Sequence, residues 1–111
     1  MDLLNVKPNK GKEDEIVIKG KVYKLRFTPA TAEHVWDNYN DPAHGIKHRE
    51  INTLIRKSKF IPQAGVFLGK WKNKIYQTLV TVKRDELIIR TSYATNKIQL
   101  IKAFKSDQNG N

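Results

Sequence analysis

The side chains best suited to moving protons near neutral pH are three histidines, His34, His44 and His48, because an unperturbed imidazole titrates there. The chain has no cysteine, which excludes a thiol nucleophile, a disulfide scaffold and a Cys-ligated zinc or iron–sulfur site. His44 and His48 are four apart, a spacing that puts two ligands on one helical face, and Asp41 or Glu50 could supply a third. Gly45 lies between them and there is no His-Glu-x-x-His pattern, so we expect no metal and no other cofactor. Proton transfer is the stronger reading. Cleaving RNA without metal needs a base for the 2′-OH, cations for the phosphate and an acid for the leaving 5′-oxygen. His34 and His48 are the candidates for proton transfer, with Lys47 and Arg49 flanking His48. Arg90, Thr91 and Tyr93 supply a cation and two hydroxyls. Hydroxyls there are usually plain strand chemistry, so this group matters only where the fold brings it beside the histidines.

The charge balance points toward a polyanion. Lys and Arg number 21 against 11 Asp and Glu, a formal net charge of +10 over 111 residues. Residues 42–84 hold ten bases against Glu50 alone. Such a run repels itself, and an anionic partner relieves the repulsion. RNA is the expected partner, with DNA as a variant, and Lys47, Arg49, Arg56, Lys57, Lys70, Trp71, Lys72 and Lys74 are the expected contacts. Trp71, between two lysines, reads as the exposed aromatic available for base stacking. No apolar run reaches the roughly 20 residues needed to cross a bilayer, and the first residues lack a secretion signal. These features predict a cytoplasmic protein with no membrane partner.

The elements that must position these groups can be read along the chain. Residues 1–13 read as a flexible arm, 14–105 as one basic α+β domain, and 106–111 as a disordered tail. Residues 15–18 and 22–27 are β-prone, and Lys19-Gly20-Lys21 suits a tight hairpin. Thr28-Pro29 fits a helix start, predicting a helix to about Tyr39 with Ala32, Val35 and Trp36 on its buried face. A second helix is expected over 47–57 with Ile51, Leu54 and Ile55 inward. Strands follow at 66–71, 75–82 and 86–93, and then a helix from a cap at Asn96 to Lys105, burying Ile98, Ile101 and Phe104. The order ββ-αα-βββ-α predicts an N-terminal hairpin and two helices packed on an antiparallel sheet.

The segments Phe27-Thr28-Pro29, Glu33-His34-Val35, His44-Gly45-Ile46, Glu50-Ile51 and Leu54-Ile55, with Thr91-Ser92-Tyr93, resemble the barnase–EndoU–colicin–RelE class. These are small phage- and plasmid-borne proteins, and the resemblance covers about residues 21–95. It implies a helical pair before an antiparallel sheet and a metal-independent ribonuclease that forms a 2′,3′-cyclic phosphate. It also implies a toxin role in toxin–antitoxin or inter-bacterial competition systems, with an acidic antitoxin or immunity protein over the basic face. His34 and His48 fall where the class places helix histidine or arginine, and Thr91 and Tyr93 fall at its last-strand hydroxyls. Relatives often carry a histidine just after the Phe-Thr-Pro segment, where this chain has Ala30 and Thr31. The alternative function is a non-enzymatic nucleic-acid-binding or phage and mobile-element accessory protein.

Overall fold

The computed structural model describes residues 2–41 and 44–109. Seven strands close into a barrel in the order β1-β2-β3-β7-β6-β5-β4. The strands are β1 (Leu4–Asn9), β2 (Lys12–Ile18), β3 (Lys21–Phe27), β4 (Lys59–Ile61), β5 (Val66–Trp71), β6 (Lys74–Lys83) and β7 (Glu86–Ala94). Three helices accompany them: α1 (Pro29–Asp37), α2 (His48–Arg56) and α3 (Ile98–Asn109). The α+β class holds, but the order is βββ-αα-ββββ-α, richer in strand than the sequence pattern predicts.

Two additions account for the difference. Residues 4–9, expected in a flexible arm, form β1, which pairs with β2 and through Leu4 and Asn5 with Phe60 and Lys59 of β4. β4 reaches only Leu4 and Asn5, so at Pro8 strand β1 is paired on one side alone, with β2, an edge position of the kind that tolerates proline. Helix α3 continues to Asn109, so the predicted disordered tail begins inside a helix. Residues 110 and 111 of that tail lie outside the described residues.

The sheet is mixed. Every pair is antiparallel, the long-range β1–β4 pair included, except β3–β7, which runs parallel with Lys24–Phe27 beside Glu86–Ile89. Lys19 and Gly20 turn the β2–β3 hairpin with φ of 51° and 76°, and Lys72 and Asn73 turn β5–β6 with 48° and 66°. Positive φ at both central residues matches the strand twist of a two-residue hairpin.

Inside the barrel, Ile51, Leu54 and Ile55 of α2 pack with Ile16, Leu25, Phe67, Leu87 and Ile89. The stripe at 51, 54 and 55 is the one read from the sequence, since residues three and four apart share a helix face. Gly69 permits this approach: a Cβ there would fall onto Ser58 Oγ and Leu54 Cδ1. On the outer face of β4–β6, Leu100 and Phe104 of α3 cover Ile61, Val66 and Leu68. Ile98, expected inside, is 66% exposed.

Candidate active site

Helix α1 is locked to β7 by two threonines. Thr28 caps the helix, accepting from Thr31 N–H at 3.1 Å. The Thr31 hydroxyl donates to the Ile89 carbonyl at 2.6 Å, and it lies 2.9 Å from Thr28 Oγ1. One turn on, Val35 enters the barrel core. With Thr31 and Val35 inward, His34 is carried to the exposed border of the helix. The same geometry corrects two expectations: Ala32 is exposed, and Trp36, expected inside, is 81% exposed. Trp36 lies about 100° around the helix from Val35.

His34 does not stand alone. Its ring meets His44 edge-on, centroids 5.4 Å apart, and His44 meets Tyr93 at 5.6 Å. His44 sits in the loop between α1 and α2, fixed by two neighbours. Ile46, 1% exposed, anchors that loop in the core. Gly45 adopts φ +46°, the left-handed conformation that glycine enters without steric cost. His44 Nδ1 is buried and faces the Asp41 carboxylate at 3.7 Å. Beside His34, the Asn38 amide donates to the His34 carbonyl at 2.7 Å and lies 3.4 Å from Nδ1.

A bulge in β7 decides where Tyr93 points. Val80 pairs with Ile89 and Leu79 with Thr91, leaving Arg90 as the extra residue. Before the bulge, Leu87 and Ile89 face the core. Strict alternation would continue with Thr91 and Tyr93 inward. The extra residue reverses the phase: Ser92 turns inward and bonds Thr78 at 2.9 Å, while Tyr93 turns outward beside Gln77. There Gln77 Nε2 donates to Tyr93 Oη at 2.8 Å. Gln77 is 1% exposed, so this amide is a fixed post.

The sequence-predicted residues therefore divide. His34 and Tyr93 belong to one cluster, bridged by His44, which sequence reasoning weighed only as a metal ligand. Thr91 lies two pairs along from Tyr93 on the same face, but its hydroxyl oxygen is buried and has no hydrogen-bond partner among the described residues. Arg90 is exposed at the bulge. His48 opens α2 and its ring packs on Phe27, centroids 3.7 Å apart; burial against that wall pulls its pKa below the usual histidine value. His44 and His48 do not share a helix face, since the helix begins only at His48. Tyr76, beneath the loop, has its phenol pKa raised by burial and then by the Glu50 carboxylate.

The basic residues are spread more widely than one run suggests. Lys47 lies over the Tyr39 ring at 5.2 Å, and Arg49 is exposed. Arg56 donates to the carbonyls of Lys12 and Glu13, so it ties α2 to β2 instead of facing a ligand. Trp71, expected exposed, follows Phe67 and Gly69 on the inward face of β5 and packs against the core. Lys72 sits at the β5–β6 turn. Lys57, Lys70 and Lys74, joined by Lys105, border a groove of about 930 Å³ that has no acidic residue in its lining. Lys105 was missed because the pattern that finds a helix does not say which strand hairpin it faces.

Chemically, this arrangement offers two imidazoles, a phenol whose oxygen is held by an amide, and a cationic groove at the same end of β7. No group of three or more His, Cys, Asp or Glu able to hold a metal occurs among the described residues. Comparison with protein-family models, with curated proteins and with solved structures gave no match for this chain.

Proposed function

We propose that the protein is a metal-independent ribonuclease that cleaves RNA through a 2′,3′-cyclic phosphate. The observation that carries this reading is the ring chain His34–His44–Tyr93 beside a lysine-bordered groove. In the proposed reaction the 2′-oxygen attacks phosphorus and the bond from phosphorus to the 5′-oxygen breaks. His34, the exposed ring, takes the 2′-OH proton. His44, whose Nδ1 faces the Asp41 carboxylate at 3.7 Å, serves as the acid that gives a proton to the departing 5′-oxygen, leaving a cyclic phosphate and a free 5′-hydroxyl. Tyr93 Oη already accepts from Gln77, which leaves the phenol hydrogen for a non-bridging phosphate oxygen. Arg90 and Lys47 supply positive charge. His48 stays outside the ring chain in this reading.

In this reading the ribonuclease is a toxin, and its net charge of +10 suits an acidic antitoxin or immunity protein as partner. A second reading, nucleic-acid binding without cleavage, is favoured by the groove alone, since its lysines do not depend on the rings. Incubation of the purified protein with total RNA in EDTA separates the two. The enzyme reading expects cleavage with 2′,3′-cyclic phosphate ends, and a loss of about 10²–10⁴-fold in His34→Ala or His44→Ala, as for removal of a general acid or base. Intact RNA with the wild-type protein defeats it. Full activity in His44→Ala would defeat the assignment of the ring chain.

A further inference from the structure

The groove lies between the β5–β6 hairpin and α3, and no step of the proposed proton transfer involves its side chains. Its rim carries Lys57, Lys70, Lys74 and Lys105, and no carboxylate lines it. Its floor is apolar, made by Ile75, Ile101 and Phe104. Three exposed amides, Asn73, Asn96 and Gln108, line it as well. A site for a bare inorganic anion has no use for an aliphatic floor, and a site for a lipid or peptide side chain has no use for four cations. The combination fits a ligand that is anionic along one edge, apolar on its faces and rich in hydrogen-bonding groups. An unpaired nucleotide has that composition.

The location adds a second argument. Ile75 follows Gln77 on the outward face of β6, and Gln77 pairs with Tyr93. Thr95 N–H donates to Ile75 O at 2.9 Å, so the groove floor continues directly from the Gln77–Tyr93 pair. The separation is two residues along the strand, about 7 Å, close to one nucleotide step. At about 930 Å³ the groove is near the upper end of the ~300–1,000 Å³ range of small-molecule sites, more than a single base requires.

We propose that this groove binds the single-stranded RNA segment adjoining the cleaved bond, phosphates on the lysines and unpaired bases on the Ile75–Ile101–Phe104 floor. The proposal rests on the ribonuclease reading for what happens beside the groove. Duplex RNA is excluded by the floor, because paired bases show neither face, and A-form helices are recognised through backbone and 2′-hydroxyl contacts instead.

The test uses the full chain and a fluorescein-labelled, fully 2′-O-methylated RNA 12-mer, which lacks the attacking hydroxyl and cannot be cut. Anisotropy is followed over a salt series for the single strand and for its blunt duplex. The expected result is tighter binding of the single strand. In the double variant Lys70→Ala/Lys105→Ala, affinity falls at least tenfold. The slope of log affinity against log salt becomes shallower by about 1.4, near 0.7 per lost phosphate contact on a single strand. Lys83→Ala/Arg84→Ala is the control. Those residues sit at the opposite end of the ten-residue β6, about 30 Å away, and the variant leaves the slope unchanged. Equal effects of the two double variants, or none, overturn the proposal, as does a duplex bound as tightly as the single strand. Competition by polyglutamate at equal charge concentration overturns it in favour of an acidic protein segment. Groove-dependent binding together with intact unmodified RNA sinks the ribonuclease reading and leaves the groove assignment standing. Cleavage that ignores Lys70 and Lys105 does the reverse.

Discussion

Gln77 offers a sharp test, because its replacement should separate stability from function. The side chain is 1% exposed and makes one hydrogen bond among the described residues, from Nε2 to Tyr93 Oη at 2.8 Å. Its carbonyl oxygen is buried with no partner among the described residues. Gln77→Met keeps nearly the same volume and removes both features. Loss of the hydrogen bond costs about 1 kcal/mol, and removal of an unpaired buried oxygen returns about 1–3 kcal/mol. The variant is therefore expected to be between unchanged and about 2 kcal/mol more stable, a rise in Tm of up to roughly 8 °C for a domain of this size. Tyr93→Phe acts the other way, leaving both ends of the Gln77 amide unpaired at a cost of about 1–3 kcal/mol. In the Gln77→Met background the same Tyr93→Phe change should cost almost nothing, giving a coupling energy of about 1 kcal/mol or more. Urea unfolding of the four proteins, at constant m-value, measures this cycle. Cleavage should fall in Gln77→Met despite its stability, since the phenol loses the donor that orients it. A Gln77→Met protein destabilised by more than about 2 kcal/mol, or a Tyr93→Phe cost equal in both backgrounds, would refute the reasoning about the amide.

Other outcomes follow from the same structure. Deleting Arg90 should remove the bulge while Ile89, Thr91, Ser92 and Tyr93 keep their faces and their β6 partners, so cleavage should survive to within about tenfold; loss of all cleavage with an unchanged far-UV circular dichroism spectrum would show that the local twist of the bulge itself aims Tyr93. Arg90→Ala keeps the bulge and should lose no more than about tenfold of activity, on the scale of one surface cation at about 1.4 kcal/mol. Gly69→Ala places a methyl against Ser58 and Leu54, an overpacking expected to cost about 1–3 kcal/mol in denaturant melts. The pKa of His48 in the native protein lies below its unfolded value of 6.5, through burial. Between those two values the unfolded chain binds a proton that the native protein refuses, so stability should fall as pH drops through 6.5. His48→Gln should flatten that part of a Tm-versus-pH curve; an unchanged slope removes His48 as its cause.

Local signals were legible and long-range ones were not. The Lys19-Gly20 turn, the Thr28-Pro29 helix start and the stripe Ile51, Leu54, Ile55 each depend on residues within a few positions, and each stands where the sequence put it. β1 was hidden because Pro8 and Gly11 look like a loop, and only pairing with a distant strand shows that Leu4 and Val6 are half-buried. β4 is three residues long, too short for any periodicity. Trp36 was misplaced because hydrophobicity was weighed without the polar anchor Thr31, whose bond to Ile89 O sets the helix rotation. Within the site, the hydroxyls at the end of β7 were visible, but the bulge that aims Tyr93 was not. His44 was visible as a histidine, yet its role depends on the fold of a loop that carries it between His34 and Tyr93.

The closed barrel also has a kinetic consequence. It consists of two meanders, β1 to β3 and β4 to β7, each built from neighbouring strands that can zip locally in microseconds. Two seams join them, Leu4–Asn5 to Lys59–Phe60 and Lys24–Phe27 to Glu86–Ile89. Each seam connects segments far apart in sequence, so its loop-closure entropy must be met before its contacts form. Neither meander covers its own edges, and α2 lacks its full bed until both seams shut. This topology is expected to make the two seams the slow step of folding, and the ring chain, held between α1 of one half and β7 of the other, would be assembled only with them.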